Sequence, residues 1–179
     1  MDLRAEAILE GSREDVFRVY RDKMVDLVPY LPNIRGIEVK SRKDDGPKTE
    51  LVNVWHGGGE LPATIRSLLS DGALSWTDYA VWDEPTLTCD WRSESHAFKE
   101  AVDSRGHDDF VALGPTRTAI RITGRIVVDA SKVPKVPRIL AGTIGKAIEA
   151  FLVKQIQDNL KEVARGVERY LKEHPLALA

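Results

Sequence analysis

The sequence predicts an α+β protein in which a curved sheet packs around one long C-terminal helix. The first observation is the segment Pro137–His174, where apolar residues recur every three or four positions, the period of one helix face. The second is that the rest of the chain shows strand patterns and short helical stretches, with no second long helix. Because the apolar stripe of the long helix needs a large partner, we expect the sheet to wrap around it, with a cavity between them.

The C-terminal helix is about 57 Å long if it is unbroken, at 1.5 Å per residue. Its apolar stripe consists of Leu140, Ile144, Ile148, Phe151, Leu152, Ile156, Leu160, Val163, Val167, Tyr170 and Leu171. Pro137 suits a first helical position, and Pro175 cannot continue the helix. Gly142 and Gly145 each weaken the first turns by about 1 kcal/mol relative to alanine. They either let the helix bend at the cavity mouth or allow close packing on the sheet.

The chain opens with a strand, Leu3–Leu9, in which apolar and charged residues alternate. Gly11 ends this strand. Ser12 then begins a helix, with Asp15 as its capping partner three residues later. A second short helix is predicted over Val25–Leu31 and ends at a proline. The first 31 residues are therefore predicted to form a strand followed by two short helices.

A run of about six strands follows. They are centred on Ile37–Val39, Leu51–Trp55, Leu74–Trp82, Leu87–Trp91, Phe98–Ala112 and Ile120–Val128. The first two form a hairpin around Asp44–Pro47, a strong turn signal. The fifth has the weakest pattern. Within it we predict a bulge or loop at Ser104–Gly106 and a solvated turn at His107–Asp109.

A glycine-rich joint, Gly57–Gly59, precedes a short amphipathic helix predicted over Leu61–Ser70. Three glycines give a flexible connection, and the apolar face of the helix needs cover. One interpretation is a lid over the cavity mouth, and the other is an ordinary packed helix after a loose turn. A phosphate-binding loop is disfavoured because no Lys-Ser/Thr pair follows the glycines.

Composition narrows the class of protein. The chain has 179 residues, of which 42% are apolar and 30% charged, as in ordinary soluble domains. A net charge of −2 without a block of like charges argues against a nucleic-acid surface. No apolar run reaches the roughly 18 residues of a transmembrane helix. The charged first residues give no signal-peptide pattern, and the single cysteine fits a reducing compartment. We expect one domain over residues 1–175, a tail over 176–179, and a cytoplasmic location.

The order of elements resembles the START/Bet v 1-like superfamily, also called SRPBCC, over essentially the whole chain. The opening is similar as well, since Ala5–Leu9 and the following Gly11–Phe17 match the family's first strand, small-residue turn and helix. Leu61–Gly72 and the strand feeding Val133–Pro137 resemble the bacterial proteins grouped as DUF2505. The resemblance implies a helix-grip fold, in which an antiparallel sheet of about seven strands curls around the C-terminal helix.

The same resemblance implies a hydrophobic ligand between sheet and helix. Members of the superfamily bind lipids, sterols, polyketides or plant metabolites. Some cyclise polyketides, and one branch activates a chaperone instead of binding a small molecule. The superfamily has no invariant catalytic motif, so the resemblance assigns no catalytic residue here.

The four tryptophans all fall on predicted strands. Trp76 and Trp91 are equally consistent with lining a cavity and with filling a core, whereas Trp55 and Trp82 are more consistent with core. Asp78 shares the strand parity of Trp76. If that face points inward, Asp78 is a carboxyl in an apolar site that could act as an acid or base. The alternative, which the sequence favours, is that the strand twists and Asp78 is solvated.

Other reactive residues form no recognisable set. The histidines show no metal-site spacing, and a metal needs three or four converging ligands. Cys89 has no neighbour that would lower its pKa and is interpreted as a small buried residue. Ser95 and His96 are adjacent on a strand, where neighbours face opposite ways. We therefore expect neither a metal nor a cofactor.

The first functional hypothesis is a carrier that binds a small lipid-like or polyketide-like molecule. The alternatives are an enzyme of the polyketide cyclase/aromatase type and a protein-interaction module with a filled core. A dry, enclosed cavity favours the first, convergent polar groups favour the second, and a solid core favours the third. The sequence identifies neither a ligand nor a protein partner. The predicted ligand-facing residues are Trp76, Cys89, Trp91, Phe110, Ile120, Ile122, Ile144, Ile148 and Phe151.

Overall fold

The computed structural model describes residues 1–58, 61, 63–66 and 74–174, without the side chains of residues 64 and 65. Its strands are β1 (Asp2–Glu10), β2 (Ile34–Asp45), β3 (Lys48–Gly57), β4 (Ser75–Asp83), β5 (Thr88–Ser95), β6 (Val102–Gly114) and β7 (Arg117–Val128). Its helices are α1 (Arg13–Asp22), α2 (Met24–Leu27), α3 (Ala63–Arg66) and α4 (Ala141–Glu173). Short 3-10 turns cover Val28–Tyr30, Ala130–Lys132 and Arg138–Leu140.

The seven strands form one antiparallel sheet in the order β1-β7-β6-β5-β4-β3-β2. The first strand pairs with the last, and every other pair joins strands that are consecutive in the chain. The predicted helix-grip architecture is confirmed. α4 is continuous from Ala141 to Glu173, so the predicted long helix is confirmed too, with its first residues in a 3-10 turn.

Local signals determine the beginning of the chain as expected. The Ser12 side chain accepts a hydrogen bond from the backbone N–H of Asp15 and donates one to its carboxylate. This arrangement satisfies a backbone donor that a helix start would leave unpaired. α1 then buries Val16 and Phe17 completely and packs against α4, β6 and β7.

The core consists of two apolar clusters along α4. The larger lies between the sheet, α1, α2 and the C-terminal half of α4, and includes Phe17, Phe110, Ile120 and Val167. The smaller lies at the N-terminal half of α4, around Ile126 and Ile148. The residues of α4 between them, from Phe151 to Asn159, are half-buried or exposed, because cavities rather than solid core lie beneath them.

Two predictions for the fifth strand are wrong. Ser104–Gly106 and His107–Asp109 are neither a loop nor a solvated turn, since β6 runs through both and pairs with β5 and β7. Asp108 is 4% exposed on the concave face of the sheet. The alternating pattern of this strand is weak because its inward residues include a serine, a glycine and an aspartate, of which Ser104 and Asp108 line cavities.

The lid prediction falls largely outside the described residues. Within them, Ala63–Arg66 is helical, and Leu61 packs against the smaller apolar cluster. The predicted tail, residues 176–179, also lies outside the described residues. Both stay predictions.

Candidate functional site

Two adjoining cavities lie between the concave face of the sheet and α4. The volume open to the centre of a water molecule is about 150 Å³ in the first and about 170 Å³ in the second. Their linings have Asn33, Trp76, Ser93, Ile156 and Asn159 in common. The two cavities therefore meet at the middle of β4 and β5, opposite the middle of α4.

The first cavity, here called the aromatic chamber, is lined by Tyr20 and by all four tryptophans, Trp55, Trp76, Trp82 and Trp91. The Trp55 and Trp76 rings are stacked, with their centroids 5.9 Å apart. Trp82 lies deeper, beside Tyr20 at 5.6 Å. The four tryptophans lie on the same concave face of the sheet, because side chains alternate along each strand. Trp55 and Trp76 are also directly paired across β3 and β4.

The second cavity, here called the apolar chamber, lies toward the N-terminal half of α4. Half of its lining residues are aliphatic or phenylalanine side chains, namely Leu61, Leu74, Phe98, Val102, Ile126, Ile148, Phe151, Leu152 and Ile156. Four polar side chains of the sheet also line it, Arg35, Ser93, Ser95 and Ser104, and α4 adds Gln155 and Asn159. This chamber is suited to an apolar part of a ligand.

The position of the Trp91 ring depends on a glycine, Gly106, in the neighbouring strand β6. Trp91 pairs directly with Gly106, and a Cβ atom at position 106 would lie 2.7 Å from the indole Cε2, too close for any real contact. The missing side chain leaves room for the ring to lie on the sheet. In this position the indole Nε1–H donates a hydrogen bond to Asp108 Oδ1 at 2.7 Å.

Asp78 and Asp108 place two carboxyls in the aromatic chamber. Burial raises the pKa of Asp108 to about 7, against the opposing effect of the Trp91 hydrogen bond. Burial likewise raises the pKa of Asp78 to about 7, against a hydrogen bond donated by Ser93 Oγ at 3.3 Å. Asp78 keeps some accessible surface because it faces the chamber, yet protein atoms surround it. The expectation that Asp78 is solvated is therefore wrong.

A polar row crosses the floor of the cavities in register. Asn53 pairs with Asp78, Asp78 with Ser93, and Ser93 with Ser104 on four consecutive strands. Asn53 is 7% exposed, and within the described part of the chain its buried Oδ1 has no hydrogen-bond partner. An unpaired buried acceptor costs free energy unless a ligand or water satisfies it. This row can therefore orient polar groups of a bound molecule.

Tyr20 of α1 completes the chamber from the helical side. Burial and the neighbouring Asp108 raise the pKa of its phenol well above the usual value. Burial also raises the pKa of the Cys89 thiol. Both groups therefore stay neutral in the physiological range, and Asp78 and Asp108 are the groups of the chamber whose charge changes near neutral pH.

The predicted ligand-facing residues separate into three groups. Trp76, Cys89, Trp91 and Ile122 line the aromatic chamber. Trp76 also lines the apolar chamber, with Ile148 and Phe151. The others line neither of these chambers. Phe110 packs edge-on against Phe17 of α1 with ring centroids 5.3 Å apart, Ile120 is fully buried in the larger cluster, and Ile144 packs at the start of α4 against the smaller one.

Sequence reasoning missed Asp108, Tyr20 and Asn53. A usable signal existed for Asp108, because it shares strand parity with Phe110, which was predicted to point inward. Tyr20 lies on the apolar face of α1 with Val16 and Phe17, and nothing in the sequence distinguishes a packed phenol from one that borders a cavity. For a metal, the described residues offer no group of three or more histidine, cysteine or acidic side chains.

Comparison with solved structures identifies the same fold in several proteins. The chain is similar to the Zhui aromatase/cyclase of Streptomyces sp. R1128 (TM-score 0.68, 15% identity, 96% of this chain and 95% of that one). It is similar to a protein of Thermus thermophilus (TM-score 0.63, 20% identity, 97% and 98%). It is also similar to a START superfamily protein of Mycobacterium smegmatis (TM-score 0.53, 12% identity, 96% and 97%). At these identities the likeness shows the fold.

The chain therefore has the helix-grip fold of the START/Bet v 1-like superfamily. No protein-family model and no curated protein matches the sequence, so the finer resemblance to the DUF2505 group stays a prediction. None of the helices in the described ranges is both long enough and apolar enough to cross a membrane.

Proposed function

We propose that the protein binds a small hydrophobic molecule that extends through both chambers. The observation that carries this proposal is the pair of adjoining cavities with a shared lining at Trp76 and Ser93. An apolar cavity of about 150 Å³ holds a benzene ring in another protein. Two such spaces suit a ligand of about two rings or a folded acyl chain. A cytoplasmic location and a lipid-like or polyketide-like ligand are part of the same proposal.

Native mass spectrometry of protein purified from its own host tests this directly, because a retained ligand adds its mass. In vitro, N-phenyl-1-naphthylamine serves as a neutral probe with two lobes. We expect saturable binding, seen as a rise in probe fluorescence and a loss of tryptophan fluorescence. Ser93→Phe fills the junction of the chambers and is expected to lower the affinity at least about tenfold. Arg92→Phe is the matched control, since Arg92 faces outward over the Tyr79 ring.

Equal affinity of the Ser93→Phe and wild-type proteins would contradict binding across the junction. No saturable binding to wild-type protein, together with no retained ligand, would contradict the proposal as a whole. A thermal melt of each variant separates lost binding from lost folding.

A second candidate function is an enzyme of the polyketide cyclase/aromatase type. The observation that favours it is the pair of carboxyls, Asp78 and Asp108, in the lining of the same chamber. An ionised carboxylate can take a proton from a carbon next to a carbonyl group while a protonated carboxyl donates one to the carbonyl oxygen. The C–H bond breaks, an O–H bond forms, and the product is an enol that can attack a second carbonyl. A pKa of about 7 for each carboxyl supplies both protonation states near neutral pH.

The general-base part of this mechanism is testable with 5-nitrobenzisoxazole. A carboxylate removes its ring C–H proton, the N–O bond breaks, and coloured 2-cyano-4-nitrophenolate forms. We expect a rate above that of buffer which rises as the pH passes about 7 and falls at least about tenfold in the Asp78→Asn, Asp108→Asn double variant. Asp109→Asn, on the outer face beside Asp108, is the control. A wild-type rate equal to that of buffer would contradict catalysis by these carboxyls.

The interaction-module alternative requires a filled core. Since two cavities lie between the sheet and α4 of the described structure instead, no observation of the core favours that alternative.

A further inference from the structure

The aromatic chamber combines ring faces with acidic groups. Trp55, Trp76 and Trp91 are each half-buried and border the chamber, so parts of their indole rings are open to a ligand. The face of an indole ring carries partial negative charge and attracts organic cations, tryptophan more strongly than tyrosine or phenylalanine. Concentration of every tryptophan of the chain in one cavity is a feature that hydrophobic binding alone does not require.

Polar atoms of both kinds, hydrogen-bond donors and acceptors, lack partners in the residues that line this chamber. Among the residues that the structure describes, the indole Nε1 atoms of Trp55 and Trp82 are buried donors without a partner, and several acceptors are unsatisfied as well. Asp108 Oδ1 receives the Trp91 N–H and Asp78 Oδ1 receives the Ser93 hydroxyl. Among the described residues, the second oxygens of both carboxyls receive no hydrogen bond, and Asn53 Oδ1 is buried without a partner. The chamber therefore offers a ligand several acceptors that need a donor or a positive charge.

The cationic side chain in the described lining of the aromatic chamber, Arg21, is already paired, and a further one, Arg35, lines the neighbouring apolar chamber. Arg21 of α1 reaches the rim, where it is 2.9 Å from Asp22 and 3.6 Å from Glu84. His107 of β6 faces the outer side of the sheet and lies 2.7 Å from Asp90. From α4, Glu162 adds a further carboxylate, which pairs with Arg165 at 2.6 Å. Within the described lining, Arg21 is the one cationic side chain, so Asp78 and Asp108 have no protein counter-ion inside.

We propose that the aromatic chamber binds an organic cation, an amine or quaternary ammonium group carried by the hydrophobic ligand. The cation lies against the indole faces and the carboxyls of Asp78 and Asp108, and the apolar part of the ligand extends into the apolar chamber. The inference rests on the proposed binding function and assigns its ligand class. A bound cation supplies the counter-charge that the chamber lacks, which favours the ionised carboxylates and releases their protons.

The test uses two probes of the same shape, phenyltrimethylammonium and tert-butylbenzene, which differ by one positive charge. Binding is measured by tryptophan fluorescence and by calorimetry. At about pH 8 we expect the cation to bind at least about tenfold more tightly than the neutral probe. At about pH 5 the carboxyls are protonated, and the preference should fall to within about threefold. Binding of the cation near pH 7 should release protons, measured as a dependence of the binding enthalpy on the ionisation enthalpy of the buffer.

Single variants locate the charge. Asp78→Asn and Asp108→Asn should each weaken binding of the cation at least about fivefold and change the affinity of tert-butylbenzene by less than about twofold. The controls Asp90→Asn on β5 and Asp109→Asn on β6 each remove a carboxylate from the outer face of the sheet. They should change the affinity of neither probe. If an inner variant does not fold, the wild-type comparison at two pH values still decides the question.

Equal affinity of the two probes at pH 8, or tighter binding of the neutral one, would overturn the cation proposal. It would leave the proposed binding of hydrophobic molecules intact, as N-phenyl-1-naphthylamine would show. Failure of all three probes to bind would overturn both proposals.

Discussion

Asp108 is a carboxyl that the sheet holds away from water without a cationic partner inside. Since its pKa is about 7 in the folded protein and about 4 in an unfolded chain, the folded state binds more protons between these pH values. The free energy of unfolding contributed by this group therefore falls as the pH rises from about 4 to about 7.

Asp108→Asn keeps an acceptor for the Trp91 N–H and removes the ionisation. We expect it to match wild type near pH 4.5 and to be more stable by about 1–3 kcal/mol near pH 8. Urea denaturation at both pH values measures the difference. Asp109→Asn is the control, because Asp109 lies on the outer face of the same strand. A stability difference between Asp108→Asn and wild type that does not grow with pH would show that Asp108 is not protonated in the folded state.

Two glycines in the first turns of α4 have different surroundings. A Cβ atom at Gly145 would lie 2.8 Å from the Val128 carbonyl oxygen, whereas one at Gly142 would have no neighbour within 4 Å. Of the two sequence interpretations, close packing on the sheet thus applies to Gly145.

Alanine at these positions should have opposite effects on stability. Gly145→Ala is expected to cost about 1–3 kcal/mol, because a backbone oxygen cannot move aside as a flexible side chain can. Gly142→Ala is expected to stabilise by up to about 1 kcal/mol through helix propensity alone. Chemical denaturation of both variants measures this. Stabilisation of similar size in the two variants would contradict the close contact at Gly145.

At the scale of the element, α4 performs two tasks along its length. Its C-terminal half, with Val167 fully buried, closes the larger apolar cluster. Its middle, with Phe151 half-buried, forms one wall of the apolar chamber. Residues of the same helix should therefore differ in whether they affect stability or binding.

Phe151→Ala should cost less than the roughly 3–5 kcal/mol that is usual for a packed phenylalanine, because one side of the ring borders empty space. It should weaken binding of N-phenyl-1-naphthylamine several-fold. Val167→Ala should cost about 2 kcal/mol and leave the affinity unchanged. Denaturation and probe titration of the two proteins measure both quantities. A full packing loss for Phe151→Ala with unchanged affinity would mean that Phe151 is core and not cavity wall.

At the scale of the whole molecule, the two apolar clusters are joined by residues that pack on both, Val153 and Ile156 of α4. β6 also contacts both clusters, through Phe110 and Val102, and β7 does so through Ile120 and Ile126. We therefore expect residues 1–175 to unfold as one domain.

A single thermal transition should result, with calorimetric and van't Hoff enthalpies in a ratio of about one. Tryptophan fluorescence, which reports on the larger cluster, and far-UV circular dichroism should give coincident midpoints. Separate transitions by the two methods would show that the N-terminal half of α4 and its cluster unfold independently.

The sequence by itself determined the order and type of the elements. The long stripe of α4, the Ser12 cap and the turn at Asp44–Pro47 are local patterns, and local patterns depend on few neighbours. The sheet around the helix followed from the need to cover one long apolar stripe. Trp76 and Trp91 were also identified as possible lining residues, because the sequence shows that both aromatic side chains fall on alternating strand patterns.

Tertiary structure alone decided which polar residues enter the cavities. Alternation predicts that polar side chains point to water, but a cavity admits inward polar groups, so the rule fails where the site lies. Asp78 and Asp108 come from strands two apart in the sheet, and Tyr20 reaches them from α1. Their convergence depends on the pairing of strands that are distant in sequence and on where α1 packs, which no short stretch of the chain encodes.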